Sequence, residues 1–149
     1  MKFTKPDPGE EALVPKDALR AFIPIPAETE RVAAAIIDAG LKVHKTLGAG
    51  LLESMYESCL VHELAKRGFE PRRQVAAPVI YDGTTLDSEF RIDLLVNGLI
   101  VVEVKSVESL LPVHQSQVIT YLKLSGCRLG FLLNFNVPLF KNGIRRVVI

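Results

Sequence analysis

The chain has 149 residues, 48% hydrophobic and 23% charged, with a formal net charge of +1. That length supports one domain with a real core and excludes two, and the near-neutral charge excludes a uniformly basic coat, leaving any polyanion binding to a local patch. Cys59 and Cys127 have neither metal-ligand spacing nor a disulfide framework, and no leader or membrane-spanning run is present, so a cytoplasmic chain without a membrane partner is expected.

Five of the nine prolines fall between Pro6 and Pro26, which predicts an extended or poorly ordered arm over residues 1–27, followed by one domain over 28–149. Val32, Ile36, Ile37, Leu41 and Leu47 keep helical spacing and predict a helix over 27–47, ended by Gly48-Ala49-Gly50. His44 lies near its inward stripe and reads as a core or hydrogen-bonded histidine. A second helix is predicted over 51–67 and places Glu53 and Tyr56 one turn apart. An acid in a first turn is also what the helix dipole favours.

Arg72-Arg73 precedes a strand predicted over 74–81, and Asp82-Gly83 is a two-residue hairpin signal. The arginines read as solvated surface or as phosphate contacts. Together with the strands that follow, this segment predicts an antiparallel meander with one apolar face, on which Val75, Ala77, Val79, Leu86 and Phe90 fall.

The most informative stretch is FRIDLLVNGLIVVEVK, residues 90–105. Phe90, Ile92 and Leu94 alternate on one arm, and Ile100, Val102 and Val104 on the other. A two-residue Asn97-Gly98 loop would oppose Asp93 to Val102 and mix apolar and charged faces. A three-residue loop, Val96-Asn97-Gly98 with Gly98 left-handed, pairs Leu95 with Leu99 and Asp93 with Val101, leaving Glu103 diagonal to Asp93. Asp93, Glu103 and Lys105 then share one face. Two carboxylates offer hard oxygen ligands suited to Mg2+ or Mn2+, and a neighbouring lysine can orient or activate a water. A Glu and a Lys two apart on a strand also read as a plain surface ion pair.

Pro112 suits the first turn of a helix ending before Gly126, with His114, Gln117 and Tyr121 on one stripe and Val118 and Leu122 inward. Strands are predicted over 129–135 and 144–149. The order is αβββαβ, an α/β fold with a mixed central sheet flanked by helices and a right-handed crossover. Lys141, Arg145 and Arg146 could extend a basic rim.

Asp93 followed by Glu103-Val104-Lys105 resembles the PD-(D/E)XK nuclease superfamily, although Ile92 stands where that name has proline. Gly50-Leu51-Leu52-Glu53-Ser54-Met55-Tyr56 resembles the signature of its GxxExxY protein family. Val43-His44-Lys45, Arg91-Ile92-Asp93, Pro112-Val113-His114 and Gly143-Ile144-Arg145-Arg146 match that family in order, over roughly residues 30–149. Gln117-x-x-x-Tyr121 is similar to the Q-x-x-x-Y helix of RecB-type nucleases.

The resemblance implies a restriction-endonuclease-like core and a metal-dependent nuclease acting on nucleic acid, with DNA the expected substrate. It implies that Asp93, Glu103 and the Val104 carbonyl hold Mg2+ or Mn2+. Lys105 would serve the attacking water, and Glu53 would add an acid through water. Arg91, His114, Gln117, Tyr121 and Tyr56 are the implied substrate-binding residues. A non-cleaving binding or regulatory module, or a partner subunit, is the alternative, and a homodimer or protein partner stays open. No Ser-His-Asp order, P-loop or zinc-spaced Cys/His set points elsewhere.

Overall fold

The structure, a computed structural model, describes residues 23–87 and 90–149. The expected arm therefore lies, up to residue 22, outside the described residues. Helix α1 (Ala27–Leu47) carries Glu28 and Glu30 in its first turn and His44 and Lys45 in its last, the charge order that complements the helix dipole. Leu41 and Leu47, expected inward, sit at its exposed margin, and the small residues Ala33, Ala39 and Gly40 face the core instead. Close approach is the reason: a Cβ on Gly40 would lie 2.6 Å from the Phe140 ring.

Helix α2 (Glu53–Lys66) follows a turn closed by Tyr56, whose hydroxyl donates to the Gly48 carbonyl at 2.6 Å and accepts from the Leu51 N–H at 3.1 Å. The strand expected over 74–81 is split in two. β1 (Pro71–Ala76) and β2 (Val79–Tyr81) are separated by Ala77 and by Pro78, which has no N–H for a ladder. β2 and β3 (Thr84–Leu86) pair with each other around Asp82-Gly83, so the expected antiparallel meander keeps its order but carries a small separate hairpin in its first connection. Phe90, expected inward, precedes β4 and is half exposed.

β1 pairs instead with β4 (Arg91–Val96), in a five-stranded sheet of order β1-β4-β5-β6-β7. β5 (Ile100–Lys105) runs parallel to β6 (Leu129–Asn134), and helix α3 (Pro112–Ser125) makes the crossover between them. β7 (Ile144–Val148) closes the edge antiparallel to β6. The αβββαβ order stands, with the hairpin inserted.

The β4–β5 register differs from expectation by one step of the loop. Val96 pairs with Ile100 and Leu95 with Val101, so the three-residue loop is Asn97-Gly98-Leu99 and Asp93 falls directly opposite Glu103 rather than diagonal to it. Asn97 decides this. Both Asn97 and Gly98 are left-handed (φ 53° and 65°), and Asn97 is tied to the start of β1: its N–H donates to the Glu70 carbonyl (3.0 Å) and its side-chain oxygen accepts from the Glu70 N–H (2.7 Å).

The sheet is covered on both faces, where one apolar and one polar face were expected. Leu94, Val96, Ile100, Val102 and Val104 pack with α1 and α2, whereas Leu95, Val101, Leu132 and Val147 pack with Val118, Tyr121 and Leu122 of α3. Ile92, expected beside Leu94, packs on the α3 side. α3 sits close because Gly130 is bare: a Cβ there would lie 2.8 Å from the Val118 side chain and 3.3 Å from Leu122. Gly130→Val should accordingly destabilise the protein by about 1–3 kcal/mol in urea denaturation, the cost of overpacking a filled layer. An unchanged midpoint would show that α3 can retreat freely.

Candidate active site

The ladder between β4 and β5 stops at Leu94 and Val102, and carboxylates take over from backbone carbonyls beyond it. The Asp93 N–H donates to Glu103 Oε1 at 3.1 Å, and the Val104 N–H donates to Asp93 Oδ2 at 2.9 Å. Each acid thereby satisfies an amide that the parted strands leave bare. On the other side of β4 the same rung is also open. The β1–β4 register sets Gln74 opposite Asp93, yet these two are missing from a ladder that holds on either side.

Both strands change face at that rung. Ile92 and Leu95 lie on the α3 side although three residues apart, and Leu94 lies on the other, so the alternation breaks at Asp93 while the register with β1 is the same on either side of it. In β1 Gln74 has φ 50°, and its side chain reaches the carboxylate that its neighbour Arg73 also reaches. Successive strand residues ordinarily point to opposite faces.

Glu103 is 2% exposed, projecting from the middle of the sheet toward α3. Burial, and then the charge of Asp93, push its carboxyl up to about 9 from an ordinary 4.5. Asp93 is also raised, chiefly by burial, against the pull of the Val104 N–H. Lys105 Nζ donates to Gln117 Oε1 at 3.3 Å, and the Gln117 amide donates to the Tyr121 hydroxyl at 3.2 Å. Burial and the Glu103 charge raise Tyr121. The chain Lys105, Gln117, Tyr121 thus links the end of β5 to α3.

Glu53 opens α2 and is exposed; its Oε1 accepts from the Ser106 N–H at 3.3 Å, just past β5. With Asp93 it lines an open cavity of about 520 Å3 that Glu57, Gln74 and Ser106 share. His114 accepts from the Leu111 N–H at 3.0 Å through Nδ1, capping α3, and lines a groove with Phe90, Gln117 and Tyr121. Arg91 is exposed at the start of β4. Tyr56 does not join these residues. It is fully buried against Phe135, its hydroxyl spent on the turn before α2, and presents no surface to a substrate in this structure. Arg73, though exposed, is engaged by Glu57 (3.1 Å), and Arg146, in mid-strand opposite Phe131, pairs with Glu30.

Glu57 and Gln74 are the members that sequence reading passed over. Glu57 stands one turn after Glu53, so the i, i+4 spacing of two acids could have pointed to it. Gln74 carried no signal, because a left-handed residue inside a strand has no pattern in an alternating run.

The donors fit a hard divalent cation. Asp93 and Glu103 present oxygens only, and the Val104 carbonyl faces the same side of β5 as its N–H, toward Asp93. Among the described residues no three Asp, Glu, His or Cys side chains converge as a ligand group. Mg2+ ordinarily takes only one or two carboxylates.

The raised carboxyls fix the pH response of the metal-free fold. Between the ordinary value and about 9 the folded state keeps the Glu103 proton that the unfolded chain has lost, so stability falls as pH rises through that window. Asp93 adds the same sign. Urea denaturation of metal-free protein from pH 5 to 9 should show this decline, flattened in Glu103→Gln. Parallel curves for the two proteins would contradict the assignment.

The sequence matches the family model of the PD-(D/E)XK nuclease superfamily over residues 30–147. No curated protein and no solved structure gives a significant match. The match takes in every strand of the sheet and all three helices but the first turn of α1, and it includes Asp93, Glu103 and Lys105; the chain belongs to the PD-(D/E)XK nuclease superfamily, with its restriction-endonuclease-like fold.

Proposed function

We propose that this protein hydrolyses nucleic-acid phosphodiesters, DNA foremost, with Mg2+ or Mn2+ at Asp93, Glu103 and the Val104 carbonyl. The observation that carries the reading is the pair of carboxyls at the parted end of β4 and β5, both raised chiefly by burial and tied to main-chain N–H groups across the gap, with Lys105 two residues from Glu103 on the same face. A purely structural rung has no reason to bury two carboxyls in the sheet against the cost of desolvating them.

Bound there, the ion would supply charge for the phosphate oxygens and a water of lowered pKa. Lys105 orients that water from β5, held at its other side by Gln117. Glu53 reaches the site through water, from the far wall of the shared cavity. Gln117, His114 and Tyr121 line the groove leading away from Lys105 and position the substrate backbone, with Arg91 an exposed cation near its Phe90 edge. Both cysteines are free, which agrees with a cytoplasmic setting. No helix among the described residues is long and apolar enough to cross a membrane.

The test is purified protein with Mg2+ or Mn2+ against single-stranded, double-stranded and flapped DNA and RNA. Lys105→Ala should cut cleavage by roughly 100-fold or more while leaving Mn2+ affinity near wild type, since it serves the water and not the ion. Asp93→Asn should lose both. Gln117→Ala and Tyr121→Ala should weaken positioning of the substrate with metal affinity intact. Cleavage undiminished in Lys105→Ala would point to another site, and metal binding without cleavage of any substrate would favour a non-cleaving binding module.

A further inference from the structure

Gln74 occupies a backbone conformation that glycine adopts freely and a glutamine rarely does. Its φ of 50° falls in the middle of β1, at the rung facing Asp93, where the β1–β4 ladder is interrupted. The side chain supplies a reason. Its amide nitrogen donates to Glu57 Oε1 (3.1 Å) and Oε2 (3.3 Å) and to Asp93 Oδ1 (3.4 Å). Glu57 is itself 5% exposed and takes the Arg73 Nε at 3.1 Å.

Both neighbours of the amide are carboxylates, which only accept, so the nitrogen end must face them and the orientation of the amide is settled by the network. Glu57 anchors one N–H, which leaves the other for Asp93. In an alternating strand Gln74 would point away from the carboxylate that Arg73 reaches, and the left-handed turn is what brings both to it. Asp93 then has a donor on each oxygen, Gln74 on Oδ1 and the Val104 N–H on Oδ2, with lone pairs left over on both.

We propose that Gln74, braced by Glu57, is a positioning residue that holds the Asp93 carboxylate in the orientation that binds the cation. The proposal rests on the metal site advanced above, and adds to it a supporting layer from β1 and α2. A ligand carboxylate that must otherwise rotate into place binds more weakly, and the loss of an outer hydrogen-bond partner ordinarily costs metal affinity without touching the ion.

The experiment is Mn2+ titration calorimetry on wild type, Gln74→Gly and Gln74→Met, with melting temperatures of the metal-free proteins. Glycine relieves the backbone and removes the donor; methionine keeps the length and the backbone strain and also removes the donor. Both variants should bind Mn2+ roughly 10–100-fold more weakly than wild type, with Gln74→Gly melting no lower than Gln74→Met. If both bind as wild type does, or if affinity falls in Gln74→Met alone, the donor has no positioning role and the proposal is overturned while the metal site stands. A wild type that binds no Mn2+ removes the metal site, and the proposal with it.

Discussion

The organising interaction is a reciprocal exchange at one rung of the sheet: Glu103 caps the amide of Asp93, and Asp93 caps the amide of Val104. Backbone carbonyls would do this in an unbroken ladder. Substituting carboxylates parts the strands without leaving bare donors, and it fixes two acids by main-chain atoms rather than by flexible contacts. Charge crowding opposes the arrangement, and burial opposes it further. A cation bound at these acids, as proposed, would offset both costs.

Everything around the rung sustains that opening. β5 is buried on both faces, so its acid and lysine are carried by a central, packed strand. α1 and α2 clamp one face, and Tyr56 secures the turn that delivers Glu53 to the cavity edge. α3 clamps the other through the bare Gly130, which brings Gln117 within reach of Lys105. Ser106 stitches the end of β5 back to α2, donating to the Leu51 carbonyl at 2.6 Å and to Glu53. The paired acids therefore stand where the regular ladder fails, and the packed core where it persists.

Much of this was legible in the sequence because it depends on periodicity. The three helices follow from apolar spacing, Gly48, Gly68 and Gly126 near their ends, and Pro112 at one start. The shared side of Glu103 and Lys105 follows from a spacing of two on one strand. What escaped depends on non-local atoms. The loop shifted by one because Asn97 is bound to Glu70, far away in sequence. Ile92 changed sides because the alternation breaks at Asp93, opposite the left-handed Gln74, and no local pattern announces such a break. Spacing groups Tyr56 with Glu53, yet a single turn of helix carries the chain from exposed surface to buried core.

The most direct measurement is the anomalous difference map of a crystal soaked in Mn2+. One peak about 2.1 Å from carboxylate oxygens of Asp93 and Glu103, and from the Val104 carbonyl, is the predicted result. A peak held by Glu53 and Glu57 without Glu103, or none at saturating Mn2+, would contradict the account.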